Sequence, residues 1–202
     1  MKNTFKNTKK GILIVTMLVT LLSFATEASF IAKNDANKTS LVLKNVKEGN
    51  LLSIKTNNNV LLYQEVIQLN GLYSKSFDLT ALPDGNYYFE LEKDVEIKII
   101  PFTITNETTV FNNAQETTIY KPVTRLIEDM VFVSKLSLNK EPLRVEIYFN
   151  STYNNSSELI FSEKIENTEK ISRIYRLEGL NKGTYKIVYT TQGKTFTEEI
   201  KN

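Results

Sequence analysis

Apolar and polar residues alternate with a period of two through much of the chain. Every second residue is apolar from Leu143 to Phe149, and the same alternation runs through residues 185–189 and 95–99. This period is typical of β-strands that have one buried and one solvated face. Clusters of Asn, Gly, Asp and Pro interrupt it about every 8–12 residues, which is the spacing of turns in a sandwich or small barrel. The pattern predicts an all-β fold.

One β-rich unit occurs twice in the sequence. A shift of 98 positions places residues 60–92 on residues 158–190 without a gap, and both copies carry the motif Leu-x-x-Leu-x-x-Gly-x-Tyr. Residues 150–157 form a polar loop that is longer in the second copy, and insertions of this kind are tolerated in exposed turns. We predict two tandem antiparallel β-sandwiches, the first over residues 29–104 and the second over residues 105–202.

The glycine-tyrosine end of the repeated motif is open to two structural interpretations. Tyr87 and Tyr185 stand where the tyrosine of a β-sandwich corner would turn its hydroxyl group back to the preceding backbone. Each could also be an ordinary core tyrosine. In both interpretations the role is structural. Leu82 and Leu180 would close the end of the core, and the glycine three residues after each leucine would permit the turn.

The first 28 residues have the organisation of a secretory signal peptide. Residues 1–10 contain four lysines, and residues 11–25 form an uncharged apolar run. Small residues at Ala25 and Ala28 offer two cleavage positions. A retained membrane anchor is the alternative, but a run of about 15 apolar residues is short against the roughly 20 that span a bilayer. We predict a cleaved signal-peptide helix over residues 1–28 and export of the remainder.

Charge and missing residue types restrict the possible functions. The chain has 25 basic and 23 acidic residues, but four of the basic and one of the acidic residues lie in residues 1–28, so the remainder is nearly neutral. A neutral surface has no general field that attracts nucleic acid or anionic lipid. The chain has no Cys and no His, which removes thiol chemistry and the usual general base and metal ligand. We predict no cofactor and no nucleic-acid partner, and membrane contact only through an uncleaved leader.

Acidic residues are the remaining candidates for catalysis or metal binding. Paired carboxylates can hydrolyse glycosidic bonds without His, and Glu90 and Glu92 share one face of a predicted strand. Leu91 lies between them, which marks their face as the outer, solvated one. Calcium would need several oxygen ligands from one loop, whereas Asp84 and the pair at 128–129 fit ordinary turns. We therefore predict no catalytic, cofactor-binding or metal-binding residues and expect that the protein is not an enzyme.

Exposed aromatic rings suggest an alternative function, the binding of a glycan or another small ligand. Trp, the usual platform for a sugar ring, is absent from the chain. Tyrosines would therefore have to supply the stacking surface. The outward-facing candidates are Tyr88, Tyr148 and Tyr153, and Tyr73 and Tyr120 are further candidates.

The repeated motif resembles that of small secreted bacterial immunoglobulin-like modules. It is similar to the C-terminal sorting domains of the type IX secretion pathway, which carry the same Leu-x-x-Leu-x-x-Gly-x-Tyr core and end in a Gly-Lys turn. Residues 192–196 fit that turn, whereas residues 197–202 are acidic where the sorting tail is basic and apolar. The resemblance covers about 40 residues of each copy. It implies an exported bacterial β-sandwich without implying an activity.

Together these patterns predict a non-catalytic module. We expect an exported interaction or structural protein of the bacterial cell envelope or surface, located in the periplasm, on the outer surface or outside the cell. Its partner would be a protein or a glycan. The sheet edges and the loop at residues 150–157 would make the contacts, because unpaired edges and variable loops are the accessible parts of a sandwich.

Overall fold

A computed structural model describes residues 30–35, 38–151, 157–177 and 183–201. This part of the chain contains sixteen β-strands and one short 3-10 turn, and no helix in it is long and apolar enough to cross a membrane. The predicted all-β fold is confirmed for the described residues, and the predicted signal peptide lies outside them. The strands are β1 (Phe30–Asp35), β2 (Lys38–Val46), β3 (Leu51–Thr56), β4 (Leu61–Val66), β5 (Gly71–Phe77), β6 (Gly85–Glu92), β7 (Glu96–Thr105), β8 (Thr108–Phe111), β9 (Thr117–Tyr120), β10 (Val123–Ile127), β11 (Met130–Leu136), β12 (Leu143–Ser151), β13 (Ser157–Ile165), β14 (Lys170–Arg176), β15 (Gly183–Thr191) and β16 (Lys194–Ile200).

Strands β1–β9 form two sheets around one core. One sheet has the order β1-β2-β5, and the other has the order β4-β3-β6-β7-β8, with β9 also paired to β7. The alternation in the sequence explains the packing, because strands such as β2, β3, β6 and β7 turn an apolar face inward. Leu41 and Leu43 of β2, Leu52 and Ile54 of β3, and Phe89 of β6 are buried in one cluster. Removal of this apolar surface from water is the main stabilising contribution.

Strands β10–β16 form a second pair of sheets with a core of their own. Their orders are β10-β11-β14 and β13-β12-β15-β16. Val131 and Val133 of β11 pack in one cluster with Val145 and Ile147 of β12 and Tyr189 of β15. Because this cluster shares no residue with the first one, each pair of sheets is a separate β-sandwich.

The two sandwiches have the same strand arrangement. In each, the first, second and fifth strands form one sheet, and the fourth, third, sixth and seventh form the other. Leu41 pairs with Lys75 and Val133 pairs with Arg173, so equivalent strands also have equivalent registers. This is an immunoglobulin-like sandwich in which the fourth strand joins the third instead of the fifth. The structure therefore contains tandem immunoglobulin-like sandwiches.

The polar stretch after β7 belongs to the first sandwich. Both β8 and β9 pair with β7, so the larger sheet of the first sandwich continues to Tyr120. The boundary predicted between residues 104 and 105 falls within β7. The division of the chain into two domains that fold separately stays a prediction.

The sixth strand of the first sandwich begins with a tyrosine corner. The hydroxyl of Tyr87 donates a hydrogen bond to the backbone oxygen of Pro83 at 2.7 Å, and Leu82 packs against the core. The corner interpretation is therefore confirmed for Tyr87. In the second sandwich Tyr185 is buried, whereas Leu180 lies outside the described residues.

The glycine of the repeated motif does not have the role that the motif predicted. A turn requires glycine where φ is positive, and neither Gly85 nor Gly183 has a positive φ. A Cβ added at Gly183 would lie 2.3 Å from the backbone oxygen of Asn150 and 2.7 Å from the ring of Phe149, whereas one at Gly85 would meet nothing closer than 3.4 Å. Close approach of β12, rather than the turn, requires glycine at position 183.

Candidate functional site

The edges of the two larger sheets carry exposed apolar residues. In the first sandwich β4 is an edge strand beside β3, and residues 60–62 (Val-Leu-Leu) are 43% to 56% exposed. In the second, β13 is an edge strand beside β12, and residues 159–161 (Leu-Ile-Phe) are 43% to 47% exposed. We call residues 60–62 and 159–161 the apolar edges. Edge strands usually carry charges or proline, because an apolar edge invites association.

A β-bulge shapes each apolar edge. The register of β3 and β4 shifts after Ile54, so Leu62 has no direct partner on β3. The register of β12 and β13 shifts after Ile147, so Ile160 has no direct partner on β12. A bulge interrupts the row of backbone groups with which a further strand would pair. The apolar edges therefore expose side chains rather than a regular hydrogen-bonding edge.

A polar cluster on the inner side of β4 ties this strand to the opposite sheet. The carboxylate of Glu65 accepts hydrogen bonds from the hydroxyl of Tyr73 and the ammonium of Lys75, both on β5. Burial alone would raise the pKa of Glu65, but the bonds from Lys75 and the tyrosines outweigh it and lower that pKa. Burial, followed by the bond to Glu65, raises the pKa of Tyr73. Glu65 is therefore charged and Tyr73 neutral at pH 7.

The second sandwich repeats this cluster. Glu163 of β13 accepts a hydrogen bond from the hydroxyl of Tyr175 at 2.5 Å and one from Nε of Arg173 at 3.2 Å. Burial, followed by the bond to Glu163, raises the pKa of Tyr175. In both sandwiches the edge strand is thus held on its inner side by a neutral tyrosine and a cation, while its outer side chains face solvent.

The predicted platform of exposed tyrosines is wrong for Tyr73 and Tyr88. Tyr73 is 7% and Tyr88 is 9% exposed. Tyr73 faces the core from β5, and the turn between β3 and β4 covers Tyr88 on the outer face of β6. Tyr120 and Tyr148 are half-buried, and Tyr153 lies outside the described residues. The alternation of apolar and polar residues correctly placed Tyr88 on the outer face of its strand. It could not predict that a turn covers that face.

Glu90 is buried, contrary to the prediction that it is solvated. Its residue is 3% exposed, and its carboxylate lies 2.8 Å from Nζ of Lys55 and 2.5 Å from Nζ of Lys194. Burial alone would raise the pKa of Glu90, but the bonds from Lys194 and Lys55 outweigh it and lower that pKa. Lys194 begins β16, so this ion pair joins the two sandwiches. Glu92, on the same face, pairs with Lys121 at 2.8 Å.

A cleft of about 710 Å³ lies beside this inter-sandwich ion pair. On the outer face of the larger sheet of the first sandwich, Tyr88 pairs with Pro101 and Asn86 with Thr103, and these four residues line the cleft. The β3–β4 turn, the β8–β9 connection and the β15–β16 turn also contribute to its lining. Sequence reasoning missed this inter-sandwich cleft, because its residues come from distant segments. Its carboxamide side chains are those of Asn57, Asn59, Asn86, Asn112, Gln115 and Gln192.

The second sandwich contains a buried Ser-Lys pair, an arrangement that can serve nucleophilic catalysis. Nζ of Lys135 donates to Oγ of Ser137 at 3.1 Å, and Ser137 donates to the backbone oxygen of Glu141 at 2.7 Å. Burial lowers the pKa of Lys135. Ser137 is 1% exposed. It does not line the inter-sandwich cleft, the pocket beside Tyr120 and Lys135, or the pocket beside Leu138 and Glu141. Ser137 and Lys140 also form an S-x-x-K spacing that sequence reasoning missed, but Lys140 is exposed on a turn.

The other acidic candidates shape turns. The carboxylate of Asp84 accepts hydrogen bonds from the backbone nitrogen of Asn106 at 3.0 and 3.2 Å. Asp129 pairs with Arg176 at 2.8 Å, and Glu128 beside it has a positive φ of 56°. Over the described ranges of the chain, no three acidic side chains converge in a way that could hold a metal ion.

Comparisons with known proteins give distant structural matches. No protein-family model and no curated protein matches the sequence. Among solved structures, the chain is similar to trypsin-activated alpha-2-macroglobulin from Escherichia coli (10% identity, TM-score 0.30), to the BSP domain of a biofilm-associated protein (12%, 0.25) and to the human OSCAR ligand-binding domain (9%, 0.25). These alignments cover 85%, 86% and 86% of this chain, and 15%, 29% and 96% of the respective matched chains. Because these TM-scores are low, the immunoglobulin-like assignment rests on strand order.

Proposed function

We propose that the protein is a non-catalytic, exported interaction module of the bacterial cell envelope or surface. The observation that carries this proposal is the pair of apolar edges, residues 60–62 and 159–161, which lie on equivalent edge strands and share the equivalent pairs 61–62 and 159–160. Soluble proteins rarely expose contiguous apolar surface unless a partner covers it. The same exposed feature in both copies is difficult to explain by core packing, because these side chains lie outside both cores.

The partner that fits the apolar edges is an apolar surface of a second envelope protein. The bulges at Leu62 and Ile160 interrupt the backbone edge, so the contact is made by side chains rather than by strand addition. Glu65 and Glu163 point inward and are bonded to the facing sheet, whereas Glu158 and Lys164 of β13 are exposed. Glu65 and Glu163 are therefore not available as counter-charges for a ligand.

A non-catalytic role fits the state of the ionisable groups. Glu90 and Glu92, the carboxylates predicted to share a face, are each held in an ion pair with lysine. The buried Ser137 hydroxyl donates to Glu141 and is covered by the protein around it. Groups held in this way lack the access to substrate that acid-base or nucleophilic catalysis requires.

Export is proposed from the leader alone. The basic residues, the short apolar run and the small residues at Ala25 and Ala28 are those of a signal peptide. Mass spectrometry of the mature protein from its own cells should find an N-terminus after Ala25 or Ala28, in an envelope or extracellular fraction. An intact N-terminus in the cytoplasm would exclude export.

Site-specific photo-crosslinking tests the interaction. A photoreactive amino acid at position 62 or 160 should give one discrete adduct in living cells, and peptide mapping should place it on an apolar segment of a second protein. The double variant L62K/I160K, probed from Val66, should lose the adduct, because a lysine ammonium cannot be desolvated at an apolar contact. Val66 is on the same edge strand and is 48% exposed.

The matched control places the same photoreactive group at Leu138, which is 56% exposed on a turn outside the apolar edges. This position should give no discrete adduct. L138K, probed from Val66, should leave the edge adduct intact. Equal crosslinking from Leu138 and the edges, or an edge adduct that survives L62K/I160K, would contradict the proposal. Circular dichroism checks that every variant is folded.

A further inference from the structure

We propose that the inter-sandwich cleft binds a neutral oligosaccharide. This inference is independent of the apolar edges, because the cleft lies on the outer face of β6 and β7 and below the β15–β16 turn, whereas the edges lie on β4 and β13. Its volume of about 710 Å³ is within the range of small-ligand sites, about 300–1,000 Å³. Of the tyrosines predicted to be exposed, Tyr88 lines this cleft.

The cleft offers hydrogen-bond donors and acceptors together. The amide oxygen of Asn59 accepts from the hydroxyl of Tyr88, and that of Asn86 accepts from Thr103 at 2.9 Å. These bonds orient both amides so that their NH2 groups remain as donors. Gln192 is oriented the opposite way, because its NH2 group donates to Glu141 at 2.9 Å and its oxygen remains as an acceptor. Sugar hydroxyls both donate and accept, so they match such a mixed set of amides.

The charge of the cleft selects a neutral ligand. Lys194 is the charged residue of its lining, and its ammonium is bonded to the buried carboxylate of Glu90. Glu90 also pairs with Lys55, so the carboxylate is shared by two lysines and is not left to bind a cationic group. A phosphate or uronate would have to compete with the buried Glu90 carboxylate for the Lys194 ammonium, which disfavours it.

The floor of the cleft suits a sugar ring. Tyr88 and Pro101 are neighbours across β6 and β7, and both line the cleft. Together they supply apolar surface within a lining of amides, which matches the C–H face of a pyranose ring and its rim of hydroxyls. A peptide that binds by strand addition would need a free sheet edge for its backbone. The cleft lies on the face of paired strands, so it does not suit that mode of peptide binding.

Titration of the full mature chain with defined oligosaccharides tests the inference. The probes are cellohexaose, xylohexaose, mannohexaose and N-acetylchitohexaose, with oligogalacturonate as the anionic comparison and an uncharged Asn/Ser/Gly peptide as the peptide comparison. At least one neutral oligosaccharide should bind by calorimetry or NMR at millimolar or lower Kd. N86A and Q115A should each weaken it by about fivefold or more, the effect of one lost hydrogen bond.

The control Q68A removes an exposed carboxamide outside the cleft and should leave the Kd unchanged. L62K/I160K should also leave it unchanged, so failure of this inference and failure of the edge contact are distinguishable. Absence of binding to all four neutral probes would overturn the inference. So would binding that N86A and Q115A do not weaken, or tighter binding of the uronate or the peptide at the same residues.

Discussion

Lys135 is a buried amine at a position that is apolar in the first sandwich. Strand register makes it equivalent to Leu43, since Leu43 pairs with Tyr73 and Lys135 pairs with Ile171. Leu43 is 1% exposed, and Lys135 is 4% exposed. The Lys135 ammonium donates to Ser137 and to the backbone oxygen of residue 136 at 3.0 Å. These bonds satisfy part of its hydrogen-bonding capacity, but no carboxylate is bonded to it.

We expect K135M to stabilise the protein at pH 7 by about 1–2 kcal/mol, because a buried charge costs more than an apolar side chain of similar volume. Burial lowers the pKa of Lys135 below its unfolded value of 10.5. Between those two pKa values the unfolded chain binds more protons, so wild-type stability rises with pH. K135M should remove that rise. Urea denaturation from neutral pH to pH 10.5 measures both effects.

The matched variant for this prediction is K170M, since Lys170 is exposed on β14. K170M should leave stability and its pH dependence close to those of the wild-type protein. If K135M loses stability at pH 7, the hydrogen bonds of Lys135 contribute more than its burial costs. Such a result would refute the prediction.

At the scale of single residues, sequence reasoning succeeded where the position alone decides the outcome. Tyr87 forms its corner because its spacing from Pro83 is local. The prediction that Glu90 is solvated was wrong, because the lysine that covers this carboxylate comes from the other sandwich, 104 positions later. The prediction that Tyr88 is exposed was wrong for a related reason, since a turn from another strand pair covers its ring. Alternation indicates the face of a strand but not what packs on that face.

At the scale of elements, strands β6 and β15 begin differently, although both carry the Leu-x-x-Leu-x-x-Gly-x-Tyr motif at their start. Gly183 lies against Asn150 and Phe149 of β12, with no room for a Cβ, whereas Gly85 has room. The motif predicted the same turn in both sandwiches. The difference between Gly85 and Gly183 arises from the longer β12 and its contact with β15. A glycine in a strand often marks such a close approach of backbones.

G183A should destabilise the protein by about 1–3 kcal/mol, because the new methyl group overlaps backbone as well as a ring. G85A should change stability by less than about 0.5 kcal/mol, since its nearest neighbours are side-chain atoms of Tyr87 at 3.4 Å. Thermal and urea unfolding of the two variants provides the measurement. Equal effects of the two substitutions would show that the turn, and not the contact with β12, requires the glycine.

The strand order and the apolar edges show which properties of the strands can be predicted from the sequence. The alternation predicted the strands and the repeat predicted two sandwiches, because both depend on local apolar pattern. The pairing of the fourth strand with the third is a property of the folded chain, and so is the bulge that turns Leu62 and Ile160 outward. Apolar residues in an edge strand have the same pattern as buried ones. Their exposure could therefore not be predicted.

At the scale of the whole molecule, the Glu90–Lys194 ion pair joins side chains of the two sandwiches. Side chains of Glu90 and Lys194 are 4% and 22% exposed, so water screens the pair little. K194M should therefore weaken the arrangement of the two sandwiches while leaving Glu90 paired with Lys55. Small-angle X-ray scattering should detect a larger radius of gyration and a broader distance distribution.

The comparison variant is K201M, because Lys201 also pairs with a glutamate, Glu199 at 3.3 Å, but on the surface. An exposed pair of this kind contributes about 0–1 kcal/mol. K201M should scatter like the wild-type protein. Identical scattering of K194M and wild type would show that other contacts hold the sandwiches together.

Under the proposed function, the duplicated apolar edge makes one chain bivalent. A partner that presents two matching surfaces would make its second contact within an already formed complex, at an effective concentration set by the distance between the edges. Avidity of this kind exceeds the affinity of either contact by about 10²–10⁴-fold, and it is lost when the geometry forbids simultaneous contact. In that proposal the ion pair between Glu90 and Lys194 helps to set the distance between the two contacts, so partners would be selected by their spacing as well as by their chemistry.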